Sequence, residues 1–316
     1  MKKILLLAAA AVFSSAVHAQ QDPQFTQWMN DKLSFNPGVA GTDGANCLNI
    51  LYRNQWSGFA GNPKSFLGNF HAPVKALRGG LGFTAYSDKL GQESNTIARL
   101  SYSYHLPVGP GKLGIGLGLG LLSKKLGNDW LPPDGPLDVV PDAAISENKV
   151  SAGSFDLNFG LYYYKTDHFY VGLSSTHLTG QDLKDLSIQV ARHYYFMGGY
   201  TYGINDNIKL RPNLLVKSDA QETTIDLNVN ALINNMFWVG LSYRTEDAIA
   251  PMAGFQYAFN NEDETMPQTI RIGYSYDLTT SEIKTYSSGS HELMLTYCFN
   301  IIEKLVKKSH GNPRFL

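Results

Sequence analysis

The sequence predicts an all-β protein, a transmembrane antiparallel up-and-down β-barrel of about 14 strands. Three features lead to this fold class. Apolar and polar residues alternate with period two in many segments, several apolar faces run to five residues, and aromatic residues cluster near predicted strand ends. Successive side chains of a strand point to opposite faces, so this period indicates strands with one apolar and one polar face.

The alternation is clearest in four stretches of the chain. Residues 154–164 and 225–233 alternate apolar side chains with mostly polar ones, residues 113–121 alternate Leu and Ile with Gly, and residues 270–277 alternate Ile and Tyr with Gly or polar residues. A soluble β-sandwich would show the same period. The length of the apolar faces favours the membrane barrel, because tilted strands of about 9–11 residues span a bilayer, whereas soluble strands more often end near 5–6.

The composition of the two faces agrees with a membrane barrel. The polar faces carry Gly, Asn, Asp, Arg and Ser, which suit a water-filled lumen. Aromatic girdles lie at both membrane interfaces of such barrels, and the aromatic clusters of this sequence are assigned to them. These clusters are Tyr102 and Tyr104, Tyr162–Tyr164, Tyr194–Phe196, and Tyr257 with Phe259.

The overall composition excludes several other classes of protein. The chain has 316 residues, of which 43% are hydrophobic, 12% aromatic and only 17% charged. Intrinsically disordered proteins, coiled coils and basic nucleic-acid binders carry more charge and fewer aromatic residues. Beyond residue 19, no run of about 18 apolar residues would form a membrane-spanning helix. The slightly acidic net charge gives no reason to expect a nucleic-acid partner.

The first 19 residues are predicted to be a secretory signal peptide. Two lysines follow Met1, residues 4–13 are apolar, and small residues end at Ala19. The apolar stretch is too short to be a membrane anchor. The mature chain would begin near Gln20. Residues 20–45 then form an N-terminal segment that we expect to fold into the lumen as a plug or to contact a periplasmic partner.

The barrel is predicted between residues 46 and 299, and its strand number is even, as in bacterial barrels. The predicted strands are 46–53, 64–73, 79–88, 94–106, 112–123, 153–165, 168–178, 190–203, 207–217, 223–233, 236–245, 249–260, 268–277 and 290–299. Most even-numbered connections are short and contain turn residues, and the long ones fall among the odd connections. Residues 261–267 and 246–248 depart from this rule. Short periplasmic turns and longer outer loops are typical of outer-membrane barrels.

The longest connection and the C-terminal tail are each open to two interpretations. The connection from Lys124 to Ala152 contains four prolines and several acidic residues. It is expected to be an external lid or a contact surface, and a passive surface loop explains it equally well. Residues 300–316 follow the last strand and are basic. They are expected to be a periplasmic contact or an unstructured end.

The two cysteines are too few for a disulfide framework. Cys47 and Cys298 fall in the first and last predicted strands, which become neighbours when a barrel closes. Both have the parity of the lumen face and lie near the same, periplasmic, end. One hypothesis is a disulfide across this seam, and the alternative is that the barrel shear offsets the two thiols.

No catalytic or cofactor motif is found in the sequence. His291 and Glu292 begin like the zinc motif HExxH, but position 295 is Leu. The glycines within residues 113–121 lack the spacing of a dinucleotide loop, and the SxxK matches at 146–149 and 281–284 lack their companion motifs. We therefore expect no enzymatic activity, no cofactor and no metal. Solvation by lumen water is the expected explanation for the polar residues Asp156, Asn158, Asp226, Asn228 and Arg271.

Several blocks of the mature chain resemble the PorP/SprF family of outer-membrane proteins of Bacteroidota. The blocks are QDPQFTQWM from Gln21, NPGVAG from Asn36, YRNQWSG from Tyr52, GNP from Gly61, DKLG from Asp88, GSHE from Gly289 and NPRFL from Asn312. They cover nearly the whole mature chain. The family usually has Tyr where Trp28 stands and Ala where Gly38 stands.

The resemblance implies a multi-pass protein of the cell outer membrane that is associated with type IX secretion and, in some members, with gliding motility. The implied partners are an exported cell-surface protein, periplasmic components of the secretion machine and outer-membrane lipid. Residues of the matching blocks are the candidate partner contacts. These are Gln21, Asp22, Pro23, Phe25, Trp28, Asn36, Pro37, Tyr52, Arg53, Trp56, Asn312, Pro313, Arg314 and Phe315.

The sequence is compatible with two functions. The first is a non-enzymatic barrel that binds or anchors an exported surface protein and contacts periplasmic machine components. The alternative is an outer-membrane diffusion channel or a transporter of small solutes, because a lumen with a lid loop would serve that function equally well. A soluble secreted β protein is a third interpretation, and location in the outer membrane would exclude it.

Overall fold

The structure is a computed structural model that describes residues 22–128, 149–186, 188–259 and 268–300. The predicted signal peptide, most of the connection from Lys124 to Ala152, and the basic tail after Asn300 lie outside the described residues. The candidate contacts Gln21 and 312–315 lie outside them as well.

Fourteen antiparallel strands form one closed barrel, which confirms the predicted fold class. The strands are β1 (Asn46–Asn54), β2 (Lys64–Val74), β3 (Gly79–Leu90), β4 (Glu93–Val108), β5 (Gly111–Leu126), β6 (Val150–Lys165), β7 (Phe169–Thr176), β8 (His193–Tyr200), β9 (Ile208–Ser218), β10 (Thr223–Ile233), β11 (Phe237–Arg244), β12 (Ala248–Phe259), β13 (Gln268–Thr279) and β14 (Ser290–Phe299). Each strand pairs with the next along the chain, and β14 pairs with β1. Closure leaves no sheet edge exposed to lipid, so the backbone groups of the barrel wall are paired within it.

Short elements complete the secondary structure. Tyr202–Gly203 is an extra two-residue strand on β9, and Asp182–Leu183 pairs with Ile188–Gln189. The predicted strand 190–203 is therefore divided, since Thr201 interrupts its pairing. Single turns of 3-10 helix occur at Trp28–Asn30, Pro37–Val39, Lys75–Leu77, Lys184–Leu186 and Glu282–Thr285. In the described part of the chain, no helix is long and apolar enough to cross a membrane.

The two ends of the barrel differ in their connections. The end at which β1 begins and β14 finishes also carries the short connections β4–β5, β6–β7 and β10–β11, and we call it the turn end. The opposite end carries the long connections β1–β2, β5–β6, β7–β8 and β13–β14, and we call it the loop end. Short turns face the periplasm in outer-membrane barrels, so the loop end faces the cell exterior.

The strands present apolar side chains outward and small or polar side chains inward. On β5, Leu117 and Leu119 are exposed on the outer surface, while the alternating residues Gly116 and Gly118 are buried inside. On β4, Leu100 is 67% exposed and its neighbour Arg99 is buried. Since lipid is the only solvent that suits such a continuous apolar surface, the exposed belt is the membrane-facing side of the barrel.

The assignment of aromatic residues to the membrane girdles is only partly correct. Tyr194, Phe196, Tyr257 and Phe259 are exposed on the outer surface near strand ends, as expected. Tyr162, Tyr164 and Tyr195 are instead buried inside the barrel. The reason is the strand period, because in a run of consecutive aromatic residues alternate side chains must face the lumen.

The seam between β1 and β14 is closed by a covalent bond. Cys47 and Cys298 are directly opposite each other in the register of the two strands, and their sulfur atoms form a disulfide. Their Cα atoms are 4.1 Å apart. The barrel shear therefore does not offset the two cysteines, and the structure agrees with the seam hypothesis rather than with two separated thiols.

Candidate functional site

The interior of the barrel is the candidate site, and the N-terminal segment occupies it. Residues 22–45 run from the loop end to the turn end, where β1 begins. At the loop end, the Asp22 carboxylate accepts a hydrogen bond of 2.8 Å from the Tyr195 hydroxyl. At the turn end, the Gly41 N–H donates to Nδ1 of His71 over 3.2 Å. The segment therefore extends along most of the lumen.

The apolar side chains of the segment are buried inside the barrel. Trp28 is 0% exposed, and Phe25, Leu33, Phe35 and Val39 are buried with it. They form one cluster with inward-facing residues of the wall, namely Leu51, Leu67, Tyr162, Tyr164, Tyr195, Met197, Leu215, Leu232, Trp238, Met252 and Met294. Burial of this apolar area stabilises the position of the segment through the hydrophobic effect. The barrel thus has a packed core around the segment, whereas the polar strand faces by themselves suggest a water-filled lumen.

A glycine surface on β5 and β6 accepts the tight turn at Asn36–Gly38. The Asn36 side chain accepts from the Gly38 N–H over 2.8 Å and donates to the Leu161 carbonyl over 3.0 Å. A Cβ atom placed on Gly116 would overlap the backbone of Pro37 and Gly38, so the segment approaches β5 backbone to backbone. This close approach explains Gly114 and Gly116, where a side chain would prevent it, whereas Gly118 and Gly120 adjoin Arg99 of the wall.

Buried ion pairs fasten the first half of the segment to the wall. Arg53 lies 2.6 Å from Asp277 and 3.2 Å from Glu292, and it also donates to the Thr26 hydroxyl over 2.8 Å. The Glu292 carboxylate accepts the backbone N–H groups of Thr26 and Gln27, each over 2.8 Å. The wall therefore supplies the acceptors that this stretch of irregular backbone needs when it is removed from water.

Two further arginines repeat this arrangement. Arg99 pairs with Asp156 at 2.8 Å and donates to the Ser34 carbonyl at 3.1 Å. Arg244 pairs with Asp226 at 2.7 Å. It donates to a backbone carbonyl of the segment too, that of Phe25, at 3.3 Å. The explanation by lumen water is therefore wrong for the two aspartates, because both are buried and paired with arginine.

The other polar lumen residues are also held by protein groups. Asn158 donates to the Asp156 carboxylate over 2.9 Å, and Asn228 donates to the Ser242 hydroxyl over 2.8 Å. Arg271 donates to the side-chain oxygen of Asn30 over 3.1 Å. A sequence pattern shows that these residues face inward, but it does not show that a segment from elsewhere in the chain excludes the water.

A cavity of about 470 Å³ opens at the loop end, above the start of the segment. Its lining is rich in ionisable side chains, including those of Asp88, Glu93, Lys124, Glu222 and Asp247. Asp22, His177 and His193 lie together on its wall. Lys124 and Glu93 form an ion pair at 2.6 Å. These ionisable side chains can bind charged or hydrogen-bonding groups of a partner.

The charges around His177 influence one another strongly. Burial would lower the pKa of His177, but the carboxylates of Asp22 and Asp156 lie 3.0 Å from its two ring nitrogens and raise that pKa to about 9. Burial would likewise raise the pKa of the Asp22 carboxyl, but His177 and His193 lower it well below its usual range. The pocket therefore favours a positive charge between two carboxylates.

A second cavity, of about 560 Å³, opens at the turn end. Lys32, Arg211 and Arg271 line it, together with Tyr162 and Tyr170. Lys32 lies over the Tyr170 ring at 4.8 Å from the ring centroid. The two cavities have no lining residue in common, and the N-terminal segment lies between them. In the described part of the chain, each end of the barrel thus has its own chamber.

The structure separates the candidate partner contacts into distinct places. Phe25, Trp28, Asn36, Pro37 and Arg53 are buried between the segment and the wall. Asp22, Pro23 and Trp56 line the loop-end cavity, and Tyr52 is exposed on the outer surface. Contact of any of these residues with a partner stays a prediction.

Sequence reasoning did not single out the histidines of the loop-end cavity. His193 and Tyr195 begin β8 at alternate positions, so the strand period was a signal that both side chains face inward. His177 follows the end of β7 in a connection, where no period applies. Its position beside Asp22, which is 155 residues earlier, depends on the tertiary structure.

Comparisons with known proteins agree with this architecture. The CymD monoaromatic hydrocarbon channel is similar with a TM-score of 0.54 and 14% sequence identity, over 88% of this chain and 93% of that chain. The deltaS2S3 mutant of the TodX monoaromatic hydrocarbon channel is similar with a TM-score of 0.51 and 12% identity, over 86% and 94% of the two chains. At such identities the likeness shows the fold alone. The comparison with curated proteins finds no significant match.

The comparison with protein families identifies the family of this chain, which the structural similarities do not. Residues 17–297 match the family described as type IX secretion system membrane protein PorP/SprF. The matched region includes the N-terminal segment and nearly all of the barrel. Because the match covers most of the chain, this protein belongs to the PorP/SprF family of type IX secretion membrane proteins, and it is located in the outer membrane.

Proposed function

We propose that this protein is a non-enzymatic, plugged barrel that anchors an exported surface protein at its loop end and contacts periplasmic secretion components at its turn end. The observation that carries the proposal is the filled lumen. Residues 22–45 are held by buried ion pairs and by a shared apolar cluster, so the barrel presents two separate chambers. A rigid, closed barrel suits anchoring, because its binding surfaces are held in place by the wall.

The chemistry of the two chambers supports different partners at the two ends. The loop-end chamber carries four acidic side chains besides Asp22, namely Asp88, Glu93, Glu222 and Asp247. It faces the cell exterior, because the long loops are assigned to that side. The turn-end chamber carries Lys32, Arg211 and Arg271. A partner at the exterior would accordingly present cationic or hydrogen-bonding groups, and a periplasmic partner would present acidic groups.

Site-specific photo-crosslinking in living cells tests this proposal. A photoreactive residue at Tyr286, which is exposed in the β13–β14 loop, should capture an exported surface protein. The same residue at Leu77, in the turn between β2 and β3, should capture a periplasmic component. Leu100 in the lipid-facing belt is the control and should capture neither. Identical products from Leu100 and Tyr286 would contradict the proposal.

The alternative function is a diffusion channel for small solutes. It is favoured by the fold that the chain shares with CymD and TodX, which are named as monoaromatic hydrocarbon channels. For this function the N-terminal segment would have to move, or a lateral path would have to open. Conductance of the purified protein in planar bilayers distinguishes the two functions. A large, stable open pore in the full-length protein would support the channel and contradict the plugged anchor.

A contribution to gliding motility is a further part of the proposal, and its support is the family resemblance alone. Deletion of the gene in the native cell would abolish surface spreading if the barrel anchors a motility adhesin. Normal spreading together with loss of one exported protein from the surface would restrict the function to secretion.

A further inference from the structure

We propose that Asp22, His177 and His193 form a site for a divalent transition metal, best suited to zinc, that fastens the start of the N-terminal segment to the barrel wall. Each residue offers one ligand atom, and the three atoms lie within 4.8 Å of one another. Oδ1 of Asp22 is 3.0 Å from Nε2 of His177. The three ligands come from three separate parts of the chain.

The outer partners of the histidines orient the two rings for a metal. Nδ1 of His177 lies 3.0 Å from the Asp156 carboxylate, and Nδ1 of His193 lies 3.2 Å from the Ala191 carbonyl. Both Nδ1 atoms therefore face acceptors. Nε2 of His177 faces the Asp22 carboxylate, and Nε2 of His193 accepts the Asp22 backbone N–H over 3.4 Å, a hydrogen bond that a bound metal would replace. Metal-ligating histidines characteristically have their second nitrogen held by a carboxylate or a backbone carbonyl in this way.

The carboxylate ligand also has an outer partner. The Tyr195 hydroxyl donates to Oδ2 of Asp22 over 2.8 Å, which leaves Oδ1 for the metal. All three ligands are thus positioned by groups outside the site. The His177 and His193 side chains are buried, while Asp22 borders the loop-end cavity. A bound ion would have three protein ligands and an open fourth position toward that cavity.

The donor set matches zinc. Imidazole nitrogen and carboxylate oxygen bind Zn²⁺ at about 2.0–2.2 Å, so tetrahedral ligands lie about 3.3 Å apart. Since the three atoms lie within 4.8 Å of one another, changes of at most about 1.5 Å in their separations would reach that geometry. The ion would replace the proton on Nε2 of His177, which leaves to solvent, and would supply the positive charge that the surrounding carboxylates favour.

A second cluster with metal-binding residue types carries no such proposal. Asp43, Cys47 and His71 also lie close together, but the Cys47 sulfur is bonded to that of Cys298. A disulfide sulfur is not a thiolate ligand.

The site is tested by titrating the full-length, chelator-treated protein in detergent with ZnCl₂ by calorimetry, with metal content measured in parallel. We expect one zinc per chain. His193→Gln and Asp22→Asn should each weaken binding by at least about tenfold. His168→Gln removes an exposed histidine of the β6–β7 turn and is the matched control, which should bind like the wild type. Heat-modifiable migration in gels verifies that each variant is folded.

Limited proteolysis tests whether zinc holds the N-terminal segment in place. Zinc should slow tryptic cleavage after Lys32 severalfold in the wild type, because the metal would hold the segment against the wall. The same addition should have no effect on Asp22→Asn, whose substitution lies outside the barrel strands. Absence of stoichiometric zinc binding by the wild type, or unchanged binding by both ligand variants, would overturn the proposal while leaving the plugged-anchor function untouched.

Discussion

At the scale of single residues, the interior of the barrel is organised by buried arginines. Arg53, Arg99 and Arg244 each bind a wall carboxylate and, at the same time, an oxygen atom of the N-terminal segment. Arginine suits this position because its planar group donates several hydrogen bonds in fixed directions. The wall and the segment are therefore joined through shared charges, and loss of one arginine affects both.

Replacement of Arg53 by methionine tests this coupling. Arg53 is 1% exposed, and its loss would leave Asp277 and Glu292 with less compensation in a buried position. Removal of one partner from a buried ion pair costs about 3–5 kcal/mol. We expect a lower unfolding temperature in detergent and faster tryptic cleavage within the segment.

The control for this prediction is Arg78→Met. Arg78 is exposed in the turn between β2 and β3, and the substitution makes the same chemical change outside the barrel interior. It should leave both measurements unchanged. Equal effects of the two substitutions would show that Arg53 does not hold the segment.

At the scale of elements, the N-terminal segment and β5 depend on each other. The segment turns at Asn36–Gly38 against a strand face that consists of glycines, and its backbone contacts the β5 backbone there. A strand rich in glycine has few side chains that can pack against its neighbours, so it is less stable by itself. The segment compensates by filling the space that those missing side chains leave.

Gly116→Ala tests this dependence. The added Cβ would overlap Pro37 and Gly38, so the segment must move away from the wall. We expect faster tryptic cleavage after Lys32 and a measurable rise in bilayer conductance. Gly68→Ala is the matched control, since Gly68 is also a strand glycine but has no atom within 4 Å of the added Cβ. An undisturbed segment in Gly116→Ala would contradict this account of the glycine face.

The seam between β1 and β14 gives a second prediction at this scale. Alkylation of the denatured protein without reductant should add no label, and alkylation after reduction should label both Cys47 and Cys298. The double Ser variant should unfold at a lower temperature, because the disulfide links residues 251 positions apart and restricts the unfolded chain. Two free thiols in protein purified without reductant would exclude the disulfide.

At the scale of the whole molecule, the outer surface of the barrel contacts lipid and its interior is a packed protein core. The apolar belt is unusual for a soluble protein, in which contiguous exposed apolar surface is limited. Closure through β1 and β14 removes the sheet edges, so the exposed belt does not lead to edge-to-edge association. The membrane is therefore the partner that the outer surface requires.

A depth series on β4 tests the position of the membrane. Leu100 lies in the middle of the strand and Leu106 near its turn end, and both are exposed to the outside. Arginine at the bilayer midplane costs about 2–4 kcal/mol, and near the interface about 0–1 kcal/mol. Leu100→Arg should therefore destabilise the folded protein in lipid vesicles more than Leu106→Arg, as measured by denaturant unfolding. Equal destabilisation by the two substitutions would contradict the assignment of the exposed apolar belt to the membrane.

The sequence alone determined the fold class, the strand number and the approximate strand bounds. These follow from local rules, since a period of two and the strand length are visible in any short window of the chain. Apart from the division of the predicted strand 190–203 at Thr201 and the short pairing of Asp182–Leu183 with Ile188–Gln189, the differences lie at strand ends. For example, β4 extends to Val108 because backbone pairing continues beyond the apolar stretch. The seam disulfide needed one further inference, that the first and last strands become neighbours.

Only the tertiary structure decided what fills the barrel. The sequence left the N-terminal segment as a plug or a periplasmic contact, and water was the expected partner of Asp156 and Asp226. The structure instead brings Asp22 to His177 and Arg99 to Asp156, pairs that are 155 and 57 residues apart. These long-range contacts depend on the registers of all fourteen strands and on the path of the N-terminal segment through the lumen. No local sequence pattern specifies both.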